Sequence, residues 1–131
     1  MTTNVKKDKP PSTNGPLIGV VGPCAAGKST LIAGLTRLGY CTRHIAQEHS
    51  YVKDMWQRLT NPDMLVFLDV SYATSCQRRK LDWTKADWQE QQHRLRHARE
   101  KADLYLDTDK ISVEQVLERV VEFVGRGARG N

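Results

Sequence analysis

Cysteine is scarce in this 131-residue chain, with only Cys24, Cys41 and Cys76, widely spaced and odd in number. Such a set excludes a disulfide framework, and no CxxC pair or Cys/His cluster suggests zinc. All three are expected to be reduced thiols, mostly buried. His93 and His97 stand at i, i+4 without a surrounding HExxH pattern, so a solvated helix face is expected there. His44 and His49 are not expected to supply a metal site either. Long apolar runs are also missing, since no stretch approaches the roughly 18 residues that cross a bilayer. The opening MTTNVKKDKPPSTNG carries lysines but no apolar segment. No secretory signal and no membrane partner are therefore expected, and a cytoplasmic protein is the default.

Hydrophobic residues make up 39% of the chain and charged residues 27%, which fits one globular domain and is too apolar for full disorder. The net charge of +5 raises nucleic acid as a partner, but its distribution argues against it. Lys6, Lys7 and Lys9 against Asp8, together with Arg126 and Arg129, account for four of those charges and lie at the two ends. The remainder is nearly neutral, so a nucleic-acid groove is not expected. Residues 1–15 and 125–131 lack hydrophobic periodicity and read as loose tails around a domain over 16–124.

Within that domain strand and helix patterns alternate. Leu17–Val21 (LIGVV) is a continuous apolar run, the mark of a strand covered on both faces. Lys28–Leu38 reads as a helix with Leu31, Leu35 and Leu38 on one side and Gly39 at its end. Tyr40–Ala46 is a weaker strand. Ser50 is placed to cap a helix carrying Val52, Met55, Trp56 and Leu59, with Trp56 in the core, before Asn61-Pro62-Asp63 breaks it. Met64–Val70 (MLVFLDV) is a second buried strand, followed by a helix from Ser71 to about Lys80. Thr84 and Asp87 resemble a capping box for a long polar helix to Ala102, with Trp88, Leu95, Ala98 and Ala102 as a thin stripe. Leu104–Asp107 is a short last strand. Ser112 and Gln115 then open a helix striped by Val113, Val116, Leu117, Val120, Val121 and Val124. The alternation predicts an α/β fold with a parallel sheet of about four strands and helices on both faces.

The chemistry concentrates in Gly22-Pro23-Cys24-Ala25-Ala26-Gly27-Lys28-Ser29, which matches GxxxxGK[ST]. It lies directly after an apolar strand and directly before a helix, where such a loop cradles phosphate. Its glycines let successive N–H groups turn inward around an anion, and the helix start adds free amides and positive dipole. Lys28 is placed for the β- and γ-phosphates, Ser29 for Mg²⁺ and Thr30 for the α-phosphate. A chance match in a chain of this length is roughly 0.4% at average residue usage. Neither NKxD nor DxxG occurs, which disfavours a GTPase.

Together, this loop, LVFLDV with Arg78-Arg79 beyond it, and the segment RLRHAREKADLYLDTDKISVEQVLERVVEFV resemble the small P-loop kinases. That group, part of the P-loop NTPase superfamily with its three-layer Rossmann-like architecture, includes nucleoside monophosphate, adenylylsulfate, gluconate and shikimate kinases. The resemblance implies ATP and Mg²⁺, with γ-phosphoryl transfer to a small acceptor. It implies lid arginines at Arg78 and Arg79, with Arg94, Arg96 and Arg99 on the polar helix beyond, and an adenine edge at Thr108 and Asp109. It also places an anionic acceptor near Arg43, His44, His49, Lys53 and Arg58. The chain departs from the pattern by lacking the strand that delivers an acid to Mg²⁺. Glu48 and Asp69 are the two candidates for that role, Glu48 being favoured if the second strand lies beside the first. A nucleotide-binding or slowly hydrolysing module without an acceptor is the alternative from another class.

Overall fold

The computed structural model describes residues 15–79 and 83–130, of which 127–130 as backbone only. The lysine-rich segment before Gly15, Lys80 and Asn131 lie outside those residues.

Four strands form one parallel sheet: β1 (Leu17–Val21), β2 (Cys41–His44), β3 (Met64–Asp69) and β4 (Leu104–Asp107), in the order β2-β1-β3-β4. Gly19 lies opposite Arg43 on one side and Leu65 on the other, and Phe67 lies opposite Tyr105. The connections carry α1 (Lys28–Arg37), α2 (Met55–Leu59), α3 (Tyr72–Arg79), α4 (Lys85–Arg94), α5 (Arg96–Lys101) and α6 (Val113–Gly130).

The period-two alternation of a strand sends neighbouring side chains to opposite faces. In β3, Val66 and Leu68 pack with Leu31 and Leu35 of α1 and with Val116, Val120 and Val124 of α6. Leu65 and Phe67 pack on the other face with Ile45, Trp56, Leu95 and Ala98. The result is the expected α/β architecture, a sheet between two helical layers. Burying each such side chain stabilises by about 1.5–3 kcal/mol, which is why the two central strands are almost wholly apolar.

Both capping boxes form. Thr84 accepts from the Asp87 N–H while Asp87 accepts from the Thr84 N–H, and Ser112 and Gln115 exchange the equivalent pair. The long polar helix, however, is broken at Leu95 into α4 and α5, because Leu95 is drawn fully into the core. The second helix starts at Met55 rather than near Ser50, whose hydroxyl instead bonds the Val52 N–H. Of its expected stripe only Trp56 is buried; Leu59 is 79% exposed and Val52 is exposed too. Val113 is exposed as well. The helical backbone of α6 continues to Gly130, beyond the last valine of its stripe, where a tail was expected. The three cysteines are half-buried rather than buried. His97 is not on a solvated face, since its Nδ1 accepts from the Trp56 indole N–H at 3.1 Å.

Because every strand runs the same way, the carboxyl ends of β1, β2 and β3 meet at one edge. Chain order reverses between β1 and β3, and in open α/β sheets the crevice beyond such a reversal is where ligands bind.

Candidate functional site

The loop Gly22–Gly27 fills that crevice. A Cβ on Gly22 (φ 153°) would overlap the Leu68 carbonyl oxygen, so only glycine lets the chain leave β1 this close to β3. Ala25 (φ 72°) and Gly27 (φ 95°) are left-handed, and Gly27 caps α1 without any side-chain hydrogen bond. The amides of the first turn of α1 have no preceding carbonyl to reach, so they face outward with the positive end of the helix dipole. Ser29 and Thr30 are exposed on this turn.

Lys28 is folded back beneath the loop. Its ammonium donates to the Gly22 carbonyl at 2.7 Å and the Pro23 carbonyl at 3.0 Å, and pairs with Glu48 Oε2 at 3.1 Å. Both side chains of that pair are sealed, 6% and 5% exposed. Glu48 sits in the short 3-10 turn Gln47–His49 just past β2, and it reaches Lys28 because β2 lies beside β1. Its Oε1 is buried with no hydrogen-bond partner among the described residues. A cavity of about 300 Å³ opens here, bounded by Cys24, Lys28, Ser29, His44, Glu48 and Arg79.

Asp69 does not join this group. Its Oδ2 accepts from Arg99 at 2.7 Å and from Tyr105 at 2.5 Å, and its Oδ1 accepts from Gln92 at 3.1 Å. Burial alone would raise the Asp69 carboxyl, but the Tyr105, Arg99 and Gln92 bonds outweigh it and hold the group below its ordinary value. The Tyr105 hydroxyl is pushed up to about 12 by burial and by the adjacent carboxylate. Of the two candidate acids, only Glu48 stands with Ser29.

Arg78 bridges the two sides of the crevice. It donates to the Ala25 carbonyl at 2.9 Å and to the Thr108 hydroxyl and carbonyl at 3.1 and 2.9 Å. Between them lies a second cavity, about 350 Å³, lined by Ala25, Ala26, Thr30, Arg78, Thr108 and Val116 among others. Asp109 turns away and accepts from the Ser71 N–H at 3.0 Å. Arg79 lies over the Trp83 ring at 4.8 Å, and its Nε is buried without a hydrogen-bond partner among the described residues. The remaining arginines are engaged elsewhere: Arg94 with Glu90 and the Tyr51 ring, Arg96 with His93, and Arg99 with Asp69.

The cationic residues around the second strand divide. Arg43, His44 and His49 line a third cavity of about 280 Å³, floored by Met55 and Trp56. His44 borders both this cavity and the one at Lys28. Lys53 lies apart, beside Arg96, His97 and Glu100, and Arg58 pairs with Asp54 at 3.0 Å.

Two glutamines carry more of the site than their sequence context indicates. Gln91 of α4 is buried and accepts from the Cys24 N–H at 2.9 Å while donating to Cys24 Sγ at 3.2 Å. Gln47 accepts from the Trp56 N–H at 2.8 Å and donates to the Val52 and Arg94 carbonyls, tying β2 to α2 and α4. Nothing in the polar run WQEQQHR separates Gln91 from its neighbours except the helical phase that turns it inward with Leu95. A scan against protein-family models and a search of curated proteins each return no match for this chain.

Proposed function

We propose that this protein is a small P-loop kinase, binding Mg·ATP at the loop Gly22–Thr30 and passing the γ-phosphoryl group to a small anionic acceptor. The observation that carries this reading is a buried ammonium, Lys28, held by Glu48 beneath a glycine-shaped loop at an uncapped helix start. Phosphoryl transfer needs positioning and cations around developing negative charge more than covalent help. The loop amides would take the phosphate oxygens, and Lys28 would exchange its bonds to Gly22 and Pro23 for bonds to the β- and γ-phosphates. Thr30, on the same turn, would meet the α-phosphate.

Mg²⁺ fits the residues present, because Glu48 Oε1 lacks a partner and the exposed Ser29 hydroxyl borders the same cavity. The bound ion would neutralise charge on the phosphate oxygens. Arg78 already spans the loop and Thr108 and would act as the lid arginine; Arg79, with an unpartnered Nε beside Lys28, is the second. The base would lie in the cavity beside Thr108, with Asp109 bracing the turn through Ser71 rather than touching the base. The acceptor would sit by Arg43, His44 and His49, whose cationic character suits phosphate or carboxylate.

A nucleotide-binding or slowly hydrolysing module is the second reading. It is favoured by Gln91, whose carboxamide occupies the Cys24 amide that a ligand would otherwise engage. Calorimetric titration with Mg·ATP, followed by a screen of small phosphates and carboxylates for faster ADP formation, separates the two. Acceptor-stimulated ADP release supports the kinase, ATP binding with no acceptor effect supports the module, and no binding overturns both.

A further inference from the structure

We infer that the chain holds a site for a thiophilic divalent cation of the zinc class, built from Cys24, Glu48 and His49. One ligand atom from each of these three side chains lies within 4.8 Å of the other two. His49 Nε2 stands 3.7 Å from Glu48 Oε2. A tetrahedral ion with sulfur at about 2.3 Å and nitrogen or oxygen at about 2.0–2.1 Å needs its ligand atoms somewhat closer than this. The His49 ring, exposed to solvent, has the room to turn and close that gap.

Two further observations point to an ion. The Glu48 side chain is 95% removed from solvent, yet its Oε1 has no partner among the described residues, leaving a buried lone pair that a cation would satisfy. Gln91 Nε2 donates to Cys24 Sγ, the kind of outer contact that orients and supports a thiolate ligand. A sulfur and an imidazole also select against Mg²⁺, which takes oxygen ligands, and in favour of zinc or cobalt. Lys28 opposes a cation at this place, and Cys24, which gives up its proton on binding such an ion, would add a negative charge to that of Glu48. Three protein ligands leave a fourth position open to water, as in zinc sites that are not purely structural. Since Glu48 would serve both ions, the soft cation and Mg·nucleotide would exclude each other.

This inference does not depend on the kinase reading, because its test contains no nucleotide. Co²⁺ is titrated into the full-length protein and the near-ultraviolet thiolate-to-cobalt charge-transfer band is followed. The band is expected at stoichiometric Co²⁺, removed by Zn²⁺, retained in Cys41→Ser and Cys76→Ser, and lost in Cys24→Ser. Gln91→Leu, which keeps all three ligands, is expected to weaken Co²⁺ binding about tenfold. The exposed His49→Ala change is not expected to disturb folding, and it too should weaken binding. Absence of the band in the unmodified protein, its survival in Cys24→Ser, or unaltered affinity in His49→Ala overturns the site.

Discussion

Lys28 Nζ stands 3.1 Å from Glu48 Oε2, and neither side chain meets solvent to any extent. A buried pair of this kind stabilises little by itself, yet each partner becomes costly once the other is gone. Lys28→Ala is therefore expected to destabilise the fold by about 3 kcal/mol and to remove Mg·ATP binding. Calorimetry at a temperature where circular dichroism reports a folded chain checks both. Unchanged affinity would reject the phosphate-loop assignment.

Gly22 is the position where the backbone has least room. Gly22→Ala would drive a Cβ into the Leu68 carbonyl oxygen at a left-handed φ. The expected loss is about 3 kcal/mol or more, seen as a large drop in melting temperature. Gly27 is also left-handed but open around its Cβ position, so Gly27→Ala should cost only about 1 kcal/mol. Equal costs at the two sites would contradict the close packing of the loop on β3.

Arg78 holds the loop to the turn after β4 through three hydrogen bonds. Arg78→Ala is expected to lower turnover by about 10²-fold, the scale of losing one donor to transition-state charge, while changing ATP affinity much less. Arg78→Lys cannot span Ala25 and Thr108 with a fork and should not restore the rate. An equal fall in binding and turnover would speak for a purely structural clamp.

Asp69 and Tyr105 predict how stability changes at the two ends of the pH scale. The Asp69 carboxyl is held below its ordinary 3.8 in the folded chain, so its contribution is present above that value. It is lost as pH falls through the lower folded value. The Tyr105 hydroxyl is raised from 10.0 to about 12, so its contribution is complete below pH 10 and disappears between pH 10 and about 12. Denaturant titrations of Tyr105→Phe should show a flatter alkaline limb than the parent over that interval. A limb of identical slope would mean the hydroxyl does not interact with Asp69 in solution.

The strands and the loop were legible because each is local. LIGVV is apolar throughout and MLVFLDV is apolar up to Asp69 at its carboxyl end, so burial on both faces leaves them little alternative to central strands. Ser112 and Gln115 cap α6 within four residues of chain. The start of the helix around Trp56 is not legible in the same way, because Val52 and Leu59 have the right spacing but stay exposed. Gln47 supplies the bonds there instead. The break at Leu95 was hidden for a related reason, since the residues on either side are ordinary helix formers and only core packing separates α4 from α5.

By itself, then, the order of residues determined the strands, the glycine turn and the uncapped helix behind it, because each rests on contacts between near neighbours along the chain. Which acid meets Lys28, which arginine crosses to Thr108, and that Cys24 shares a cavity wall with Glu48 were decided only by tertiary structure. Those meetings depend on β2 docking outside β1 and on α4 folding back across the loop. Both are set by the shape of two cores on opposite faces of one sheet.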